Sequence, residues 1–362
     1  MLSLKPIFLW KYLGLKRNIL PKNVGRLFYL SWEDALWDIL EKKHVKKNTN
    51  ILVPEFFCGD VENNIRNHGY NIVYYPVSNK LKTSIKQLMK SVKKYKPTVL
   101  IIFHTLGIKN NLLLKTDWFK KLDKNTILIE DCVHRIVDPN KVKFIKQDHF
   151  IIDSLRKVVP LQGSVVYAQK KYINFSVPTI LQSFRYATSV TLLWATMNLF
   201  WVFSQLFFGT KLSVWLVDKA NKIMKTGYDL IGNSIKPARG FFIFDFLQQF
   251  IDIENIQRKK RDQIEFYEKK LADLPENIFQ KVPYENSDKA EMVAYPLVLS
   301  IKNAANILST IRRKGLLLDF ELDDSQWSKK QKIIYLPIGP YLTNRNMNKI
   351  VDVFTPYKHL IL

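Results

Sequence analysis

Between residues 51 and 168 short runs of apolar, mostly β-branched residues alternate with longer, polar-rich stretches. The runs are Ile51-Leu-Val-Pro54, Asn71-Ile-Val-Tyr-Tyr-Pro-Val77, Thr98-Val-Leu-Ile-Ile-Phe-His104, Thr126-Ile-Leu-Ile-Glu-Asp131, His149-Phe-Ile-Ile-Asp-Ser154 and Ser164-Val-Val-Tyr-Ala168. Helices are expected between them at about 33–43, 59–68, 83–94 and 115–123. The runs are continuous, which is the pattern of strands buried on both faces. Strands of this kind separated by helices predict an α/β fold, with a mostly parallel sheet covered by helices on both sides.

The rhythm changes after residue 170. Positions 186–210 carry no charged residue and no histidine, and Arg185 and Lys211 flank them. About 20 apolar residues suffice to cross a bilayer. Thr188, Ser189, Thr191, Thr196, Asn198, Ser204 and Gln205 nevertheless dilute this stretch. Three readings are open: a buried or dimer-interface helical hairpin, a helix lying in the membrane interface, and a true span. The hydroxyl and amide groups argue against a span. Trp194, Trp201, Phe203 and the basic flanks lead us to expect peripheral, monotopic association.

From residue 241 to 270 the spacing predicts one long helix, with Phe242, Phe246, Phe250, Ile253 and Ile256 on a stripe and residues 258–261 as a solvated charge run. A smaller α/β unit follows: a strand at 295–301, a helix at 304–313 stopped by Gly315, a strand at 332–338 and a helix at 344–354. The expected organisation is an N-terminal arm (1–24), a large α/β domain (25–170), an apolar helical insertion (171–236), and a long linking helix with a small C-terminal domain (237–362).

Composition narrows the class of partner. The chain has 362 residues, 47% hydrophobic and 24% charged, which excludes a disordered or collagenous protein. Its 56 Lys and Arg against 32 Asp and Glu give a formal charge of +24, a surface that attracts phosphorylated metabolites or anionic lipid. No basic block alternates with aromatic residues, so nucleic acid is not an expected partner. The two cysteines, Cys58 and Cys132, have no metal-site spacing, so no metal is expected and a reducing, cytoplasmic setting fits. Apolar positions 6–10 are too few for a signal-peptide core.

Open α/β sheets bind ligands at the carboxyl ends of their strands. Four such ends carry unusual polar groups: Glu55 to Gly59, His104 to Gly107, Glu130-Asp131 with His134 just beyond, and Ser154-Leu-Arg-Lys157 followed by Gly163. An acidic strand end followed, about 25 residues on, by a strand leading into Ser-x-x-Lys matches the needs of a pyridoxal phosphate enzyme. The lysine amine condenses with the cofactor aldehyde. A buried aspartate keeps the pyridine nitrogen protonated, and hydroxyls with backbone N–H groups at helix starts hold the phosphate.

Five segments, in order, resemble the DegT-type (sugar-nucleotide) aminotransferases of fold type I. Leu30-Ser-Trp-Glu-Asp-Ala-Leu36 is similar to the segment opening the family's first large-domain helix. Ile51-Leu-Val-Pro-Glu-Phe-Phe-Cys-Gly59 resembles its Val-Pro-x-aromatic strand end, and Phe103-His-Thr-Leu-Gly107 its Val-His-x-x-Gly turn. Leu128-Ile-Glu-Asp-Cys-Val-His134 resembles Ile-Glu-Asp-x-Ala-Gln/His, and Ser154-Leu-Arg-Lys-Val-Val-Pro-Leu-Gln-Gly163 the lysine loop. The likeness covers about residues 25–170, and more loosely 237–355.

The resemblance implies roles. Lys157 is the catalytic lysine and proton shuttle, Asp131 binds the pyridinium nitrogen, and His134 contacts the cofactor. Ser154 binds the phosphate, helped by the backbone at Trp32 and Glu33, and Phe57, or failing it Phe56, stacks on the ring. His104 and Arg239 fall in substrate-binding positions, Arg239 reaching a neighbouring active site. The chain departs from the family at Trp32 and Glu33, where Gly and Thr are usual, at Ser164 in place of a second glycine, and in the shorter Ser154–Lys157 spacing.

The implied activity is transfer of an amino group from an amino-acid donor to a nucleotide-linked sugar in surface glycan biosynthesis. The implied assembly is a cytoplasmic homodimer, peripheral on the inner face of the cytoplasmic membrane. The alternative is a catalytically weakened protein of the same fold serving as a membrane-docked binding or scaffold subunit, which Trp32, Glu33 and Ser164 favour and the retained Lys157, Asp131 and His134 disfavour. The family's dehydratase branch has His where Lys157 stands, so Lys157 speaks against that chemistry.

Overall fold

A computed structural model describes residues 9–114, 117–173, 183–207, 210–234 and 236–358. Seven strands make the main sheet: β1 (Val24–Tyr29), β2 (Asn50–Pro54), β3 (Asn71–Tyr75), β4 (Val99–Phe103), β5 (Ile127–Cys132), β6 (His149–Asp153) and β7 (Ser164–Gln169). Their order is β1-β7-β6-β5-β4-β2-β3. The five strands from β3 to β6 pair in parallel, β7 runs antiparallel to β6, and β1 antiparallel to β7. The expected mostly parallel sheet is thus present. Successive residues of the apolar runs enter different cores. Val53, Ile101 and Ile129 pack on one face, with Ala35, Leu36 and Ile39. Leu52, Leu100, Ile102 and Leu128 pack on the other, with Leu88 and Trp118. Two covered faces are why the runs are continuous.

β1 is a strand the apolar pattern did not single out. Gly25 and Arg26 interrupt it, and the Arg26 guanidinium is paired with Asp245. Three expected helices form as α1 (Trp32–Lys42), α2 (Gly59–Asn67) and α3 (Ile85–Tyr95). The fourth, 115–123, is corrected: the described residues there form 3-10 turns at Asn111–Leu114 and Asp117–Lys121, with 115 and 116 outside the description. The Trp118 indole N–H donates to the Leu112 carbonyl at 3.0 Å and folds the segment back on itself.

After the short α4 (Leu155–Val158), two long helices form a hairpin, α5 (Phe184–Leu206) and α6 (Lys211–Gly232). They run antiparallel, with the Ser213 hydroxyl on the Ser204 carbonyl (2.9 Å) near the turn and Trp194 against Gly227 and Tyr228 farther along. The single long helix expected over 241–270 is instead two, α7 (Phe242–Gln248) and α8 (Ile253–Lys270). The N-terminal arm splits it: Gly14 N–H donates to the Phe250 carbonyl (2.7 Å) and Asp252 N–H to the Tyr12 carbonyl (2.9 Å). Asp252 then caps α8 through the Asn255 N–H (3.0 Å). The expected aromatic stripe is divided accordingly, with Phe242 and Phe246 exposed and Ile253 and Ile256 buried. The C-terminal part holds an antiparallel sheet of β8 (Phe279–Lys281), β9 (Ala294–Ser300) and β10 (Gln331–Pro337), with α9 (Ile301–Arg313) and α10 (Asn344–Phe354).

Candidate active site

The carboxyl ends of β4, β5 and β6 lie side by side, since Phe103 pairs with Asp131 and Cys132 with Asp153. Asp131 is buried at this edge, where its Oδ1 accepts the Val133 N–H at 3.0 Å. Burial pushes its carboxyl up to about 7; the Val133 hydrogen bond and the nearby Lys157 ammonium oppose this, while Glu33 adds to it. Asp131 is therefore a desolvated carboxylate short of positive charge.

Lys157 sits on α4, the single turn that β6 enters. Ser154 caps that turn with its hydroxyl uncommitted to the helix, and Leu155 N–H donates to the Gly163 carbonyl (3.0 Å), closing the loop. Gly163 has φ of +138°, and a Cβ there would strike the Phe28 ring. Lys157 as a whole residue is half-buried, and the pKa of its amine is raised by the Tyr228 side chain first, then by Glu321 and Cys58, against the opposing effect of burial. It is an ammonium at neutral pH.

The remaining expected residues divide into those near this pair and those away from it. His134 is buried; its Nδ1 accepts the Leu106 N–H (3.2 Å), and its Nε2 lies 3.3 Å from Glu321 Oε1. Its ring stands 5.2 Å from Phe103, which is edge-on to Phe57, which in turn is edge-on to Trp32. Phe57 is thus part of an aromatic row ending at His134, whereas Phe56 packs on Trp327, away from that row. Trp32 and Glu33 are buried at the start of α1; the Trp32 indole N–H faces the Asp131 carboxyl and favours its charged form, while Glu33 Oε2 lacks a hydrogen-bond partner. Ser154 is buried as well.

His104, expected at a substrate-binding position, is buried and held by its own chain. Its Nε2 lies 2.8 Å from Glu130 Oε1 and its Nδ1 accepts the Asn110 N–H at 3.2 Å, so both nitrogens are engaged within the protein. His149 approaches the other Glu130 oxygen at 3.2 Å, and these two histidines hold the Glu130 carboxyl well below the usual range against the effect of burial. His104, Glu130 and Cys132 are metal-ligand types lying close together, yet their atoms serve this internal network. Arg239 is exposed in the loop before α7, near Tyr29 and Arg26, and lines neither cavity beside Lys157.

Sequence reasoning missed several neighbours of Lys157. One cavity beside it is lined by His134, Arg156, Lys260, Glu321, Tyr335 and Tyr341. A second is walled by Trp194, Met197, Met224 and Tyr228 of the hairpin. Lys260 belongs to the run 258–261 expected to be solvated, but it is 2% exposed. The signal existed: Ile256, Lys260, Ile264 and Tyr267 recur at helical spacing on the buried face of α8. No local feature marked Tyr228 or Glu321, which reach the site from distant elements.

No protein-family model matches the sequence, and no curated protein does. Solved structures do match. The sugar aminotransferase CalS13 from Micromonospora echinospora aligns with a TM-score of 0.57 at 12% identity, over 91% of this chain and 87% of that one. DesV of S. venezuelae, solved in complex with a ketimine intermediate, gives 0.58 at 10% identity over 93% and 85%. NtdA from Bacillus subtilis, solved with bound cofactor PMP, gives 0.58 at 11% identity over 92% and 73%. Likeness at such identities is one of fold, and the fold of this chain is that of the sugar aminotransferases, fold type I of the pyridoxal phosphate enzymes.

Proposed function

We propose that the protein is a pyridoxal phosphate-dependent aminotransferase that aminates a sugar. The observation that carries this reading is Asp131, a buried carboxylate short of positive charge, set within electrostatic reach of the Lys157 amine at the ends of β5 and β6. A protonated pyridine nitrogen supplies the charge that Asp131 lacks, and Lys157 supplies the amine for the aldehyde. The residues present therefore fit the cofactor at its ring. At its phosphate end the N–H groups opening α1 and the Ser154 hydroxyl are suitable donors. Glu33 opposes them, which distinguishes this chain from the family segment it resembles.

When bound, pyridoxal phosphate supplies an electron sink through which an amino group passes from donor to acceptor. The protein's own contribution is positional. Lys157 holds and returns the proton that moves between the carbon and nitrogen sides of the reacting centre. His134, fixed by the Leu106 N–H and Glu321, presents a ring of set orientation. Phe57, Phe103 and Trp32 form an apolar wall that excludes water.

The finer reading is a nucleotide-linked sugar substrate, an amino-acid donor and a role in surface glycan synthesis, consistent with the +24 charge and its attraction for phosphorylated substrates. Residues 25–170 are the cofactor-binding domain, 171–236 the hairpin insertion and 237–362 the linking helices and small domain. The enzyme is a cytoplasmic homodimer in which the exposed Arg239 loop approaches the neighbouring site, and it associates peripherally with anionic membrane through α5. Borohydride reduction after incubation with pyridoxal phosphate tests the central claim. The cofactor should be trapped on the Lys157 peptide, and Lys157→Ala should lose both the label and the visible absorption band. Labelling at another lysine, or none, overturns it.

A further inference from the structure

The cavity lined by Lys260 and Arg156 holds more positive charge than its surroundings neutralise. Lys260 enters from α8, and its Nζ is buried without a hydrogen-bond partner. The carboxylate that acts on it electrostatically, Glu291, accepts from Gln257 at 2.8 Å and lies 3.9 Å from Arg135. Burial lowers the Lys260 pKa to about 8. Arg156 enters from α4, its guanidinium 4.7 Å from the ring centroids of both Trp194 and Tyr228. Its Nε and Nη1 are buried and unpartnered. Lys157 is the third cation, and Glu321, the carboxylate among the described lining residues, faces both His134 and Lys157, leaving Lys260 and Arg156 without an acidic partner of their own in the cavity.

A structural lysine ordinarily extends its amine to water or pairs it with an acid. Lys260 does neither. Arg156 is fixed by two aromatic rings, with donors left over whose geometry suits a planar or tetrahedral oxyanion. We propose that this cavity binds an oxyanionic group of the substrate, held by Lys260 and Arg156 beside the Lys157 amine. The assignment of that group to a substrate rests on the aminotransferase reading. Two sources share the chemistry: the carboxylate of the amino-acid donor and the phosphate of a nucleotide-linked sugar. Tyr335 and Tyr341 add hydroxyl-bearing walls, and Val158, Val293 and Ile338 line the rest.

The test is calorimetric titration of the cofactor-free full chain with glutarate and, separately, inorganic phosphate. Wild type should bind at least one of them, and the tighter probe identifies the source. Lys260→Met should weaken that binding by at least about tenfold, because one partner of a buried charge pair is removed. Lys260→Gln should behave likewise, and Lys260→Arg should restore most of the affinity. Thermal melts establish that each variant is folded; Lys260→Met removes an unpaired buried amine and should melt no lower than wild type. Phosphate held at the start of α1 would be unaffected by Lys260→Met, so the difference between the two proteins isolates the cavity. Absence of binding to wild type, or equal binding by folded Lys260→Met, overturns the proposal. Borohydride trapping separates the two readings. A cofactor that loads while neither probe binds removes the oxyanion site alone. Probes that bind while no cofactor loads remove the aminotransferase reading and leave the site.

Discussion

Asp131 and Lys260 carry the same kind of tension with opposite charge. Each is a titratable group held in the interior without enough counter-charge, and each flanks the place where Lys157 presents its amine. For Asp131 the consequence for stability has a definite sign. Its folded-state pKa of about 7 stands above the ordinary 3.8, so the folded protein holds the proton more tightly than the unfolded chain. The penalty is absent below pH 4, grows as pH rises toward 7 and is complete above it. Asp131→Asn keeps an acceptor for the Val133 N–H and has no charge to desolvate. We expect it to raise the stability of the cofactor-free protein at pH 8 by up to about 4 kcal/mol, at about 1.4 kcal/mol per pH unit, while abolishing transamination. Thermal melts of both proteins across pH 5–8 check this: the gap should narrow as pH falls, and a variant less stable than wild type at pH 8 refutes it. The site was unevenly legible at this scale. Asp131, His134 and Lys157 stood out in the sequence as candidates because strand ends in a parallel sheet collect ligand-binding groups. For His104 the sequence does not reveal that Glu130 and Asn110 occupy both its nitrogens.

At the scale of elements, α5 is unusual in being apolar on two opposite faces. Ala187, Val190, Trp194, Met197 and Trp201 recur at heptad spacing and are buried, inward toward the core that includes α6. Leu192, Leu199, Phe203 and Leu206 recur on the other side and are exposed, joined by Leu212 and Trp215 of α6. By length and composition Phe184–Ser204 could cross a membrane, with a mean hydropathy of 1.2, but a third of it is buried in the protein. This corrects the residues expected at a headgroup boundary: Trp194 and Trp201 are each 5% exposed, and Phe203 alone of the three faces out. The tip of the segment, 208 and 209, lies outside the described residues. A contiguous exposed apolar stripe marks an interface. Leu192→Ser, Leu199→Ser and Phe203→Ser together should abolish flotation with anionic liposomes and leave the melting temperature nearly unchanged, since all three are exposed. Wild type that stays unbound and monodisperse without detergent would show that the stripe serves another purpose.

At the scale of the whole molecule, cavities beside Lys157 draw on α4, the hairpin, α8 and the small sheet. The hairpin is therefore part of the candidate site as well as an apolar surface, because Tyr228 and Trp194 hold Arg156. Arg239 lines neither described cavity beside Lys157 and lies near Arg26 of β1. The expected twofold homodimer places it near a second site. Analytical sedimentation at micromolar concentration should give a dimer, and Arg239→Ala should lower turnover without shifting that mass. A catalytically active monomer contradicts the assembly.

The sequence by itself determined six of the seven strands of the main sheet, β2 to β7, and the helices α1 to α3, because burial on both faces leaves continuous apolar runs that need no partner to be recognised. It also determined the order of Asp131, His134 and Lys157, which lie in or just after those runs. Only the tertiary structure decided what surrounds them. The break between α7 and α8 depends on the backbone of the N-terminal arm, which takes the Phe250 carbonyl and the Asp252 amide. The inward turn of Lys260 depends on which face of α8 meets the core, and a run of four basic residues looks equally solvated from every side. The burial of Trp194 and Trp201 depends on the pairing of two helices in a hairpin. Periodicity is a property of one segment, whereas these three outcomes arise from contacts between segments far apart in the chain, and such contacts leave no periodic trace.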